Sequence, residues 1–258
     1  MSQKRARPPG APFLMRISRG RWKSIQAALA NAPAGRVSSA AMRGGVIFDL
    51  DGTLVDSLPG IAGSLNRALA SLGFDQHADP AVRRFIGNGS YELARQASPK
   101  GSSNETILAV ERAFKEDYAT TWPAGTVPYD GIPELLKMLA AAGVRMGVLS
   151  NKPHPFTVEI VERLFPGVPF DPVLGHRPEA PRKPHPDAAI QISRMWGEDP
   201  SACLFIGDST IDLETAARAG MRPLAVAWGY HDVAALEEAG AGEVTLNVAD
   251  LKALFKLF

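Results

Sequence analysis

Cysteine is almost missing. The chain has a single one, Cys203, among 258 residues, so no disulfide can close within it, and a reducing compartment fits. Cys203 stands in the apolar run "ACLFIGD" and reads as a buried packing residue rather than a reactive thiol. No stretch approaches the ~18–20 apolar residues of a membrane span. No apolar segment with a cleavage site marks a secretory signal, so secretion is not expected. Acidic side chains are absent from residues 1–43, which hold nine Lys/Arg. Residues 44–258 carry 19 basic and 27 acidic side chains, a net of −8, and offer no evident nucleic-acid surface. Clusters of His and Cys are lacking too, which removes the usual zinc site.

The basic arm admits three readings. It is rich in Ala, Arg, Pro and Ser, like an organelle transit segment. It fits a disordered basic arm. Or translation starts at Met42, directly before the first strand. "SIQAALANA" suits a short helix in each case. The expected location is cytoplasmic, with organelle import if the transit reading holds.

From residue 44 onward the chain is patterned. At 45% hydrophobic and 21% charged residues, it can bury a sizeable core. Apolar, strand-like runs occur at 46–50, 144–149, 202–206, 223–227 and 243–246, with a weaker one at 172–174. Amphipathic helical segments alternate with them, at 131–142, 154–165, 186–196, 210–219, 232–239 and 248–257. Such alternation predicts a doubly wound α/β fold with a parallel sheet covered on both faces. Sites in such folds lie at the carboxyl ends of the strands. Between Asp56 and about Tyr129 no strand is expected, only helical patterns at 59–72, 79–86, 89–97 and 103–122. That interval is too long for a loop and reads as an inserted helical domain over 57–128, with the core at 44–56 and 129–258.

Polar residues gather at four points along the chain. "VIFDLDGTLVDS" puts Asp49 and Asp51 two apart, on one side of the strand end, with the hydroxyl of Thr53 close behind. "VLSNKP" ends in Ser150 and Asn151. "PRKPHP" holds Lys183 before a helix, and "LFIGDSTIDLETAARAG" holds Asp208 and Asp212. A parallel sheet brings these points to one edge. Four clustered carboxylates raise one another's pKa, and a divalent cation removes that penalty. All-oxygen ligands suit Mg²⁺, which shares substrate phosphate. A carboxylate attacking a dianionic phosphate meets repulsion that Mg²⁺ and a lysine offset, while hydroxyl donors hold the transferring oxygens. A second carboxylate can protonate the leaving oxygen and later activate water. Asp49 is then the nucleophile and Asp51 the acid/base.

In order and spacing, "DxDGT", the strand-terminal Ser, the Lys before Pro and "GDSxxDxxxAxxAG" resemble the haloacid dehalogenase superfamily of aspartyl-phosphate phosphatases. The resemblance covers roughly residues 44–258. It implies a phosphoaspartate at Asp49, Asp51 as general acid/base, and a phosphoryl group bound by Ser150, Asn151 and Lys183. It also implies Mg²⁺ held by Asp49, the backbone carbonyl of Asp51 and Asp208, with Asp212 in support. The inserted helices match that superfamily's cap, which closes over the leaving group and so selects the substrate.

Within the cap, "IGNG" (Gly87, Asn88, Gly89) makes a tight turn that opens a helix at Ser90 and frees backbone N–H groups for an anion. It resembles the cap loop of phosphoglycolate phosphatases, as do "LSNKP", "RKPHP" and "WGY". The expected activity is therefore Mg²⁺-dependent hydrolysis of a small phosphate ester, 2-phosphoglycolate first. Nucleotides, sugar phosphates, pyrophosphate and a β-phosphoglucomutase-like phosphotransfer remain as alternatives, and so does a non-catalytic binding protein. Arg83 and Arg84 are left open between anion binding and solvation. His154, His176, His185 and His231 read as capping or surface residues, and Trp196 and Trp228 as packing residues. Neither a monomer nor a homodimer is favoured.

Overall fold

The computed structural model describes residues 44–242 and 244–256. The basic arm, and with it the readings that concern residues 1–43, lies outside the described residues. Six strands form one parallel sheet: β1 Val46–Phe48, β4 Met146–Pro153, β5 Phe170–His176, β6 Leu204–Gly207, β7 Arg222–Val226 and β8 Val244–Thr245. Their spatial order is β5-β4-β1-β6-β7-β8. From β1 the chain runs outward through β4 and β5, then returns to build β6, β7 and β8 on the other side. The reversal falls between β1 and β6, and the carboxyl ends at such a switch point form a crevice.

Period-two alternation sorts the central strands β1 and β6 between two cores. Val46, Phe48, Leu204 and Ile206 belong to one cluster with Leu135, Leu136, Ile160 and Leu251. Ile47, Phe205 and Cys203 belong to the other, with Ala189, Ile192, Ala216 and Ala219. Helices α5 (Ile132–Ala141), α6 (His154–Leu164) and α10 (Val248–Lys256) thus cover one face. On the other lie α7 (Asp187–Met195) and α8 (Thr210–Ala219). Short α9 spans Val233–Glu238. β1 has no exposed residue, as a central strand covered on both faces requires. Cys203 is buried, its thiol pushed up to about 11 by burial, in keeping with an inert packing role.

Between β1 and β4 the chain leaves the sheet. β2 (Val55–Asp56) and β3 (Val127–Pro128) pair antiparallel, Val55 opposite Pro128 and Asp56 opposite Val127. They frame helices α1 (Leu58–Ser71), α2 (Asp79–Phe85), α3 (Gly89–Ala97) and α4 (Asn104–Thr121). Leu65, Leu69, Val110, Tyr118 and Trp122 are fully buried there and join the first core cluster.

Two expectations need correction. The interval from Asp56 to Tyr129 does contain a strand, β3. Two residues, one of them a proline, carry no periodic signal. Ser150 and Asn151 do not end their strand either. β4 runs on to Pro153, pairing it with His176 across a register irregularity. The polar side chains there mimic a strand end because they face the site rather than the core.

Candidate active site

The loop after β1 begins the site. Asp49 N still donates to Ile206 O of β6 at 2.9 Å, so Asp49 extends the ladder. The chain then turns: the N–H groups of Thr53, Leu54 and Val55 all donate to Leu50 O. Asp49 and Asp51 both face a cavity of about 60 Å³ beyond the strand ends. Ser150, Asn151, Lys152, Asp208 and Ser209 line it from the core, and Gly87, Gly89 and Ser90 from the helical unit. Ile61, Ile86, Leu93 and Phe114 supply an apolar wall.

Three carboxylates form the charged centre. Asp49, Asp208 and Asp212 are buried, with ligand oxygens all within 4.8 Å of one another. Lys183 Nζ, also buried, lies 2.9 Å from Asp49 Oδ1 and 2.6 Å from Asp212 Oδ1. One ammonium cannot balance three carboxylates. The imbalance is visible in their protonation. Burial, opposed by Lys183 and reinforced by Asp212, raises Asp49 to about 7. Burial, then Asp212 and Asp49, raises Asp208 well above the carboxylate range. Burial alone would lower Lys183, but Asp212 and Asp49 outweigh it and hold the amine protonated. A divalent cation would supply the missing charge, and an all-oxygen donor set is what a hard cation takes. The residues fit such a group.

Their free oxygens differ. Asp49 Oδ1 accepts from Leu50 N at 2.7 Å as well as pairing with Lys183, whereas Oδ2 has no partner among the described residues. Asp208 Oδ1 accepts from Thr53 Oγ1 at 3.0 Å and Oδ2 from Tyr230 N at 2.7 Å. Asp212 is engaged at both oxygens. Oδ1 meets Lys183, and Oδ2 accepts from Ser209 N and Ser209 Oγ in a capping box that starts α8.

Asp51 belongs to a second, separate pair. Lys152 Nζ donates to its Oδ1 at 3.0 Å and Oδ2 at 3.2 Å, and lies 4.6 Å from the Tyr118 ring centre. Burial would lower Lys152, but Asp51 and Tyr118 raise it, and it stays charged. Ser57 Oγ donates to Asp51 Oδ1 at 2.6 Å. Tyr230 OH accepts from Ser57 N at 2.9 Å and lies 3.1 Å from Ser57 Oγ. The serine proton goes to the carboxylate, so the tyrosine donates to the serine.

Two residues expected to hold phosphate have their side-chain polar groups engaged elsewhere. The Thr53 hydroxyl is turned to Asp208. Asn151 clasps Lys183: Oδ1 accepts from Lys183 N at 2.8 Å and Nδ2 donates to Lys183 O at 3.0 Å. It also donates to Gly87 O at 2.9 Å. Ser150 Oγ accepts from Lys152 N at 3.2 Å, which leaves its proton for the cavity. In the "IGNG" loop, Gly87 and Gly89 line the cavity while Asn88 between them is exposed. Helix α3 starts at Gly89, one residue before Ser90.

Lys152, Ser57 and Tyr230 were missed in the sequence, and His231, expected to cap a helix or lie at the surface, also faces the site. Lys152 was within reach, because it stands two residues after Ser150 on one strand and shares its face, the argument that joins Asp49 to Asp51. Ser57 and Tyr230 meet across 173 positions, and no local pattern announces that. His231 lines the cavity, its Nδ1 accepting from Thr210 N at 3.3 Å. Arg83 donates to the carbonyls of Gly229 and Tyr230; Arg84 is exposed. Trp196 and Trp228 pack against the two cores.

The family model of haloacid dehalogenase-like hydrolases matches residues 46–226. Phosphoglycolate phosphatase 1 of Pseudomonas aeruginosa is 35% identical over 211 residues, covering 80% of this chain and 77% of the relative. Phosphoglycolate phosphatase of Escherichia coli is 30% identical over 227 residues, covering 80% and 90%. The crystal structure of a predicted phosphoglycolate phosphatase from Haemophilus somnus superposes with a TM-score of 0.77 at 27% identity, over 84% of this chain and 100% of that one. Among the described residues no helix is long and apolar enough to cross a membrane. With relatives matched over 77–90% of their length, a matching fold and a buried carboxylate centre, the chain belongs to the haloacid dehalogenase-like hydrolase family and is a phosphatase within it.

Proposed function

We propose that the chain hydrolyses 2-phosphoglycolate to glycolate and phosphate through an aspartyl-phosphate at Asp49, with Mg²⁺ as cofactor. The observation that carries the mechanism is the asymmetry of Asp49. One oxygen is held by Lys183 and Leu50 N–H, and the other is free on the cavity wall. Asp49 Oδ2 attacks phosphorus, the ester P–O bond breaks, and Asp51 gives its proton to the leaving oxygen. Water then attacks the phosphoaspartate, Asp51 takes its proton, and the acyl-phosphate P–O bond breaks to release phosphate and free Asp49. Asp49, Asp208 and the Asp51 carbonyl would hold Mg²⁺, with Asp212 acting through Lys183 and Ser209. When bound, the cation supplies the positive charge that lets a carboxylate meet a phosphate dianion.

The remaining residues divide between holding phosphate and holding the holders. Ser150 and Lys183 take the phosphoryl oxygens. Asn151 keeps Lys183 in place, and Thr53 orients Asp208. Residues 57–128 act as the cap over a core of 44–56 and 129–258. The substrate reading is supported by the relatives' names and by the cavity. The apolar side chains of Ile61, Ile86, Leu93 and Phe114 face the carboxylate centre across the cavity, which suits a phosphate with a small leaving group.

Phosphate release with Mg²⁺ from 2-phosphoglycolate, glucose 1-phosphate, nucleoside monophosphates, pyrophosphate and an aryl phosphate tests this. A kcat/KM for phosphoglycolate about a hundredfold above the others, roughly 2.7 kcal/mol of selective binding, is the expected result. A flat profile would remove the substrate and leave the chemistry. Turnover of glucose 1-phosphate only with a bisphosphate primer would make the protein a mutase.

A further inference from the structure

Arg83 sits in the last turn of α2, in the helical unit, yet its guanidinium reaches the sheet core. Nε donates to Tyr230 O at 2.9 Å and Nη2 to Gly229 O at 2.7 Å. A planar fork thus grips two consecutive carbonyls. Arg83 does not line the cavity. Its target, residues 228–230, touches the site on its other side. Trp228 Nε1 donates to Thr53 O at 3.1 Å. Tyr230 N donates to Asp208 Oδ2 at 2.7 Å. Tyr230 OH joins Ser57, whose hydroxyl donates to Asp51. At Gly229 a Cβ would stand 2.2 Å from Asp208 Cβ and 2.3 Å from Gly52 O. Only glycine lets this loop lie flush against both carboxylate-bearing turns.

We propose that Arg83 is a positioning residue. It fastens loop 228–230, so that the Tyr230 N–H aims the Asp208 carboxylate and the Tyr230 hydroxyl, through Ser57, aims Asp51. A side chain of the helical unit thereby sets the geometry of a cation ligand and of the acid/base on the core. The inference rests on the roles given above to Asp208 and Asp51.

Three variants of the full chain test it: Arg83→Gln, Arg83→Lys and Tyr230→Phe. Circular dichroism checks the fold. Mg²⁺ binding is measured without substrate, by calorimetry and by the rise in Tm. kcat and KM are measured for 2-phosphoglycolate and for an aryl phosphate with a good leaving group. Arg83→Gln should weaken Mg²⁺ binding and lower kcat, each by about tenfold, as loss of an orienting partner does, with KM little changed. Arg83→Lys, which keeps the charge but loses the planar fork, should fall between, and it decides the matter should glutamine cost the fold. Tyr230→Phe keeps the backbone N–H, so Mg²⁺ binding should hold. Its kcat should fall more for the alkyl ester, whose leaving oxygen needs the proton, than for the aryl ester. Unchanged Mg²⁺ binding and kcat with a raised KM in both arginine variants would overturn the proposal and make Arg83 a substrate contact. An equal loss on both esters in Tyr230→Phe would overturn the arm through Ser57. If the unmodified chain released no phosphate with Mg²⁺, the catalytic reading would fail first. The Mg²⁺ affinities of parent and Arg83 variants would still judge the arm to Asp208.

Discussion

The two walls of the cavity are built by opposite means. On the core side, charged side chains carry the site. Asp49, Asp208, Asp212 and Lys183 are buried and joined in one cluster, and Asp51 and Lys152 form a second pair. On the helical side the wall is mostly apolar, and its polar surface is backbone at Gly87 and Gly89 beside Ser90, whose hydroxyl donates to Glu111 at 2.6 Å. That backbone is gripped from the core, Gly87 O by Asn151 and Asn88 O by Arg182 at 2.5 Å. Chemistry therefore sits in residue identity, where a single atom decides. Fit sits in the path of a loop, where shape decides. Substitutions on the first wall should cost orders of magnitude in rate, and on the second only small factors.

The strongest test of that contrast is Asp49→Asn. Turnover should fall by roughly 10⁴-fold, yet the metal-free protein should be no less stable at pH 8, since a buried carboxylate with too little counter-charge is replaced by a neutral isostere. Ready turnover in this variant would end the nucleophile assignment. Next comes Lys152→Met, which strips Asp51 of its cation. About 10² in kcat/KM should go, and a loss of only twofold would reduce Lys152 to a packing residue.

Proton linkage separates the walls by another route. Burial raises Asp49 to about 7, against about 3.9 for a free aspartate. Between these values the folded protein binds more protons than the unfolded chain, so without metal its stability falls as pH rises from about 4 to about 7. A cation takes the proton's place. Mg²⁺ should therefore raise Tm by roughly 5 °C at pH 8 and by under about 2 °C at pH 5. Equal shifts at both pH values would mean that the cation binds elsewhere.

The smallest effects belong to the loop. Gly89 has φ +82°, and a Cβ there would stand 2.9 Å from Arg182 Nη1 and 3.2 Å from Asn151 O. Gly89→Ala should cost about 1–3 kcal/mol of stability and raise KM several-fold with kcat nearly kept. Asn88→Ala, at an exposed position outside the cavity, should change kcat/KM by less than about twofold. A large loss specific to phosphoglycolate would bring Asn88 back as a substrate contact.

Which parts were legible follows from the range of the forces involved. The alternating strands and helices could be read because a parallel sheet buried on both faces demands continuous apolar runs, and helices covering it demand a 3.6 period. Helix α8 at Thr210–Ala219 and helix α3 at Gly89–Ala97 fall where the pattern put them. The edge strand β5 was read as only 172–174, because its half-exposed residues at Phe170–His176 dilute the apolar signal. β3 was not read at all. Its two residues are strand only because β2 lies opposite.

The sequence by itself determined the sheet, the helical insertion and the carboxylates that stand at the strand ends, since each rests on residue type and short-range spacing. The tertiary structure alone decided their partners. It took Thr53 toward Asp208 and closed Asn151 on Lys183. It paired Lys152 with Asp51, and drew Arg83 and Tyr230 together behind the site. Hydrogen bonds act over about 3 Å, and only the folded chain brings groups 32 to 155 residues apart within that distance.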